Sequence, residues 1–135
     1  MSEVSTSRTD RVYIDDSVME IYDALTEGSV EQAPFRTFKD VFMLAVVLGY
    51  RRGLRQAAPT SAKRTIRKEV FTDNDYYLLK AIAIATTGDV AVLMHPGQIL
   101  TLAEEYAQVG IHEIKAELID QSGRPLWNLL NIQMG

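Results

Sequence analysis

The chain has 135 residues, a formal net charge of -4, 47% hydrophobic and 24% charged residues, and no cysteine. That length suits one domain with an ordinary hydrophobic core, and the missing cysteine excludes a disulfide framework and thiolate metal sites and leans toward a reducing cytoplasm. Residues 1–10 are polar, with neither the apolar run of a signal peptide nor the length of a membrane span, so they are expected to form a disordered arm on a soluble protein, with residues 11–135 as a single helical domain.

Along the chain, Arg11-Val12-Tyr13-Ile14-Asp15 alternates apolar and polar residues, the pattern of a short strand that buries Val12 and Ile14. Ser17-Val18-Met19-Glu20 fits a capping box for a helix carrying Val18, Ile21, Tyr22 and Leu25 and closed by Gly28. After a break at Ala33-Pro34-Phe35, Thr37-Phe38-Lys39-Asp40 opens a second helix. Its apolar residues, from Phe38 through Val41, Phe42, Ala45 and Leu48, leave little polar surface, which places it at the centre of a domain or an oligomer interface. Its last turn carries Arg51 and Arg52, and Gly53 is the expected C-cap.

Residues 57–62 read as a loop by composition, with Lys63 to Lys68 as its basic exit. Ile66 to Phe71 suit a strand or an extended segment, the one further strand this mostly α chain has room for. Thr72-Asp73-Asn74-Asp75 starts a helix through Tyr76, Leu79, Ile82 and Ala83 to Gly88. Met94 to Gly97 is a turn, and Gln98 to about Leu118 is helical, with Gly110 marking a kink or a close helix contact. After Ser122-Gly123-Arg124-Pro125 a short terminal helix should dock, since Trp127 in an exposed tail is costly. The expected architecture is a compact helical domain with a strand-helix-helix start over residues 11–55 and C-terminal helices over 72–135.

Charge is unevenly placed. Residues 1–30 hold two basic and seven acidic groups, residues 31–70 nine and three, and residues 71–135 three and eight, a balance of -5, +6 and -5. The central block, Arg36, Lys39, Arg51, Arg52, Arg55, Lys63, Arg64, Arg67 and Lys68, is the electrostatic footprint that a nucleic acid or another acidic partner needs. The same residues could instead pair with the acidic ends of this chain or of a second copy, and arginines at a helix C-terminus also suit its macrodipole.

Strand, helix and capped helix in this order resemble a ribbon-helix-helix module. That family pairs the N-terminal strands of two chains and inserts the ribbon into the DNA major groove. The resemblance implies groove contacts from Arg11 and Tyr13 and a phosphate held at Thr37 and Phe38, helped by Lys39. A second resemblance spans about residues 35–133. It is carried by the run from Phe35 to Phe42, by Leu48-Gly49-Tyr50-Arg51-Arg52-Gly53, by Thr87-Gly88-Asp89, and by Glu104-Glu105-Tyr106-Ala107 with Gly110. These motifs are similar to the small accessory proteins found with DNA phosphorothioation (Dnd) defence systems. The likeness implies bacterial DNA modification and phage defence, and it brings no catalytic residues with it.

A search for catalytic patterns returns little. His95 and His112 are the only histidines, and Glu105 shares a helix face with His112, but there is no zincin spacing, phosphate loop or nucleophile elbow. Glu104-Glu105 reads as an acidic face. Tyr76-Tyr77 could stack on bases in a single-stranded channel, but they suit core packing better. No catalytic residue, metal or cofactor is expected. The sequence therefore points to a non-enzymatic, DNA-associated accessory or regulatory protein, a homodimer or higher oligomer, with Arg51, Arg52, Arg55, Lys63, Arg64, Arg67 and Lys68 against phosphates. An interaction subunit that docks an acidic protein is the alternative, and an enzyme built on Glu105 and His112 comes third.

Overall fold

The structure, a computed structural model, describes residues 9–132, so nearly all of the expected arm lies outside the described residues. Two strands and five helices follow one another: β1 (Arg11–Ile14), α1 (Met19–Thr26), α2 (Phe38–Arg52), β2 (Arg64–Arg67), α3 (Asp73–Thr87), α4 (Pro96–Ile114) and α5 (Pro125–Leu130). Short 3-10 turns precede α1, follow β2 and precede α4, and a π-helical turn over Lys115–Ile119 prolongs α4. The expected mostly helical architecture is the one observed.

The centre is the crossing of α2 and α4. The apolar character of α2 nearly all round has its reason here: Val41, Phe42, Ala45, Val46 and Leu48 are all buried. Two glycines set the distance between the helices. A Cβ on Gly49 would lie 2.0 Å from the Tyr106 carbonyl oxygen, and one on Gly110 would lie 1.8 Å from that of Ala45. Helix α4 runs through Gly110 without interruption, so of the two readings of that glycine the close contact is correct.

Most helix ends are where local chemistry puts them. The Thr37 hydroxyl accepts from the Asp40 N–H, and Thr72 and Asp75 form a complete capping box at α3. Gly53 and Gly88 close α2 and α3 in the left-handed region, both at φ 71°. Pro96 at the first turn of α4 extends that helix two residues upstream of the expected start.

Three expectations are corrected. The Ser17 capping box does not form: Asp15 accepts from both the N–H and the hydroxyl of Ser17 at 2.8 Å, and this tight local turn winds residues 16–18 as a 3-10 turn before α1. The second strand lies at Arg64–Arg67, not at Ile66 to Phe71. After Ile66 has met Val12, the turn at Lys68–Val70 swings Phe71 out of the strand and into the core, 5.9 Å edge-to-face from Phe42. The terminal helix does dock, but not through Trp127, which stays 53% exposed. Helical phase instead turns Leu129 and then Ile132 toward the core, while Asn128 donates to the Leu118 carbonyl and Arg124 pairs with Glu31.

Candidate nucleic-acid interface

Strand β1 pairs antiparallel with β2 of its own chain, in the register Arg11–Arg67, Val12–Ile66, Tyr13–Thr65 and Ile14–Arg64. Residues directly opposite in an antiparallel pair share a face. Val12, Ile14 and Ile66 are therefore the buried face, and Arg11, Arg67, Tyr13 and Thr65 the outward one. The expected β-ribbon exists, but it is built within one chain, where the ribbon-helix-helix likeness implied two. Its other edge is also engaged: the Tyr13 N–H, pointing away from β2, donates to the Glu104 carboxylate at 2.5 Å. Glu104 is only 2% exposed. It is thus an internal latch between α4 and the ribbon, which corrects its assignment to an acidic face. A charge in register with the buried Leu100 and Ala107 of the same helix was the available signal.

Opposed arginines on one ribbon repel unless something offsets them. Arg11 reaches Asp10 at 3.0 Å and Arg67 reaches Glu69 at 3.9 Å. Lys68 is exposed at the first residue of the turn that follows β2, its N–H bonded to the Asp10 carbonyl. Arg64, on the inner side at the ribbon's end, lays its guanidinium 4.9 Å above the ring of Phe38 at the start of α2. Lys63 is exposed, and its backbone N–H is tied to Asp16. Arg11 and Arg67 are thus the cations of the outward face, and Lys63, Arg64 and Lys68 are exposed at or next to the two ends of β2.

Arg51, Arg52 and Arg55 are elsewhere. Arg51 and Arg52 both converge on Glu113, at 2.7 and 2.9 Å, and Arg55 pairs with Glu105 at 3.0 Å. Fifteen residues of α2 at a 1.5 Å rise separate this cluster from the Phe38 end by about 20 Å. The central basic block therefore forms two surfaces rather than one, because a helix carries its ends apart whatever their sequence proximity. Lys39 is drawn inward onto Asp75 at 2.9 Å and Asp40 at 3.4 Å, so the cation implied for a phosphate at the start of α2 faces internal carboxylates. Burial pushes the Asp75 carboxyl up, but the hydrogen bonds from Lys39 and Thr72 and the Lys39 charge together outweigh it and hold the group below its ordinary value. Arg36 is exposed just before α2.

Among the remaining candidates, Tyr76 packs edge-to-face on Phe71 at 6.2 Å, as expected of a core aromatic, but Tyr77 is 63% exposed. His112 lines a shallow cleft with Arg52, Glu113 and Glu117, while Glu105 is turned to Arg55. Among the described residues, no group of three or more His, Cys, Asp or Glu is placed to hold a metal ion, and no helix is long and apolar enough to cross a membrane.

The family described as DNA sulphur modification system-associated protein 4 matches residues 11–134 of this chain. The chain belongs to that family. No curated protein and no solved structure matches it. The residues that carried the likeness in sequence now have physical roles: Thr37 and Gly53 cap α2, Gly88 closes α3, Gly49 and Gly110 set the α2–α4 distance, and Glu104 latches the ribbon. In this chain those motif residues serve the fold, and the ribbon surface lies outside the motifs.

Proposed function

We propose that this protein is a non-enzymatic, DNA-associated accessory or regulatory subunit of a bacterial DNA-modification and phage-defence system, and that it meets the phosphate backbone with the outer face of its β-ribbon. Membership of a DNA sulphur modification family supplies the setting. The observation that carries the DNA reading is the opposition of Arg11 and Arg67 on the outward face, with Tyr13 two residues along on the same face. A two-stranded antiparallel ribbon has the cross-section to enter a major groove.

Magnitude decides between the two basic surfaces. The carboxylates of Asp10 and Glu69 are well exposed, and water and salt screen such pairs, so a phosphate displaces them at little cost. Glu113 has a side chain only 9% exposed, and stripping its arginines leaves a largely buried carboxylate without compensation. The ribbon is available to an anionic polymer, and the Arg51–Arg52 cluster is committed to holding α2 on α4. One chain carries the whole ribbon, so this reading needs no second copy.

A salt series of DNA-binding isotherms tests it. Affinity should fall steeply with salt, with a log–log slope near -0.9 for each phosphate neutralised. Binding that is insensitive to salt, or an acidic protein partner that nucleic acid does not displace, overturns the reading.

A further inference from the structure

Where the ribbon ends, a cleft of about 490 Å³ opens between the turn after β2, the first half of α3 and the start of α4. Nothing in the ribbon's proposed role uses it. Phe71 and Tyr76 form an aromatic wall, with Lys80 Nζ 5.9 Å from the centre of the Tyr76 ring. Tyr77 stands at its edge with most of its ring in solvent, and Lys68, Glu69 and Asp73 complete the polar rim.

Three features narrow the ligand. The volume falls within the roughly 300–1,000 Å³ of small-molecule sites and holds a nucleobase. Two ammonium groups and two carboxylates leave the rim without net charge, which disfavours a phosphate and suits an uncharged aromatic plane. Carboxylates accept hydrogen bonds from exocyclic amino groups, as from the cytosine amine, and thymine has no such group to offer. The cleft also begins at Lys68, one rung beyond the Arg11–Arg67 pair, so a strand whose phosphates follow the ribbon reaches it within its next nucleotides.

We propose that this cleft takes an unpaired, amino-bearing base of a DNA strand, stacked on Tyr77, while the adjoining phosphates lie on the ribbon. The proposal rests on the ribbon reading and extends it from the duplex to single-stranded or locally opened DNA. Bases inside a duplex are stacked on both faces and paired along one edge, so only an unpaired, unstacked one has a face to give to Tyr77.

The test uses the full chain and fluorescence anisotropy with a cytosine-rich single strand, the corresponding thymine strand and a duplex. One aromatic–base stack is worth about 5- to 150-fold in affinity. Tyr77→Ala should weaken binding of the cytosine strand by that factor and leave duplex binding unchanged. Tyr77→Phe should bind as the wild type does, and the thymine strand more weakly than the cytosine strand. A cytosine-strand affinity unchanged in Tyr77→Ala, or an equal loss on the duplex, overturns the base site while leaving the ribbon reading intact. Absence of binding to every DNA overturns both. Competition by free dCMP as strong as that by the oligonucleotide assigns the cleft to a mononucleotide and overturns the strand-binding proposal.

Discussion

Gly110 of α4 rests against the backbone of Ala45 in α2, with room for a hydrogen and none for a methyl group. A Cβ 1.8 Å from a carbonyl oxygen forces the two central helices apart, and every layer packed on them must follow. Helix propensity favours alanine by about 1 kcal/mol, while overpacking costs about 1–3 kcal/mol and more when backbone must move. Gly110→Ala should therefore lose at least about 3 kcal/mol in chemical denaturation. Gly53→Ala provides the contrast: a Cβ there meets nothing within 4 Å, and only the left-handed backbone resists, at about 1–2 kcal/mol. Equal losses in the two variants would contradict the close-contact account.

The two basic surfaces should separate by mutation. Arg51→Gln with Arg52→Gln leaves the Glu113 carboxylate largely buried and uncompensated, and is expected to cost about 1–3 kcal/mol of stability with little change in DNA affinity. Arg11→Gln with Arg67→Gln should do the reverse. The denaturation curve should be unchanged, because these pairs are exposed, and the salt dependence of DNA binding flattens by about 0.9 for each lost phosphate contact. Parallel denaturation curves and salt titrations decide the matter, and the opposite pattern would return the site to the end of α2.

Glu104 protects an edge. Glu104→Ala removes the carboxylate that accepts from the Tyr13 N–H and loosens the cover that α4 gives to this edge of β1, which favours pairing with other chains. A loss of about 1–3 kcal/mol is expected, together with concentration-dependent self-association visible in light scattering. Glu104→Gln retains a carbonyl acceptor and should stay monodisperse under the conditions in which the alanine variant associates.

The Lys39–Asp75 pair sets an acid limit to stability. Because the folded-state pKa of Asp75 lies below its ordinary 3.8, its contribution is complete above that value and is lost as pH falls through the lower folded-state value. Lys39 is shifted upward, chiefly by its hydrogen bond to Asp75, so its contribution is lost only in strong alkali, as pH rises through its raised value. Asp75→Asn keeps the oxygen that caps α3 and removes the charge. Its melting temperature should be lower than that of the wild type at neutral pH, with the difference shrinking below about pH 4. A difference that is constant through acid would show that the charge contributes nothing.

Local chemistry made much of this protein legible from its residues. The alternation at Val12 and Ile14, the threonines at 37 and 72, and the glycines at 53 and 88 each act within a few positions, so strand, caps and helix ends can be read in one dimension. The same locality explains the misses at Ser17 and Trp127, where a competing Asx turn and the phase of a short helix turned on one or two residues. Tyr77 looked like core because its neighbour is core, and only the orientation of α3 exposes it.

What the sequence determined by itself was the inventory: a mostly helical chain, a central apolar helix, a family likeness and an excess of cations between residues 31 and 70. Tertiary structure decided which of those cations share a surface. Helix α2 holds Arg51 and Arg52 about 20 Å from its start, while strand pairing brings Arg67 across from Arg11, 56 positions away in the chain. Electrostatics depends on distance in space, and pairing register, not sequence order, fixes that distance.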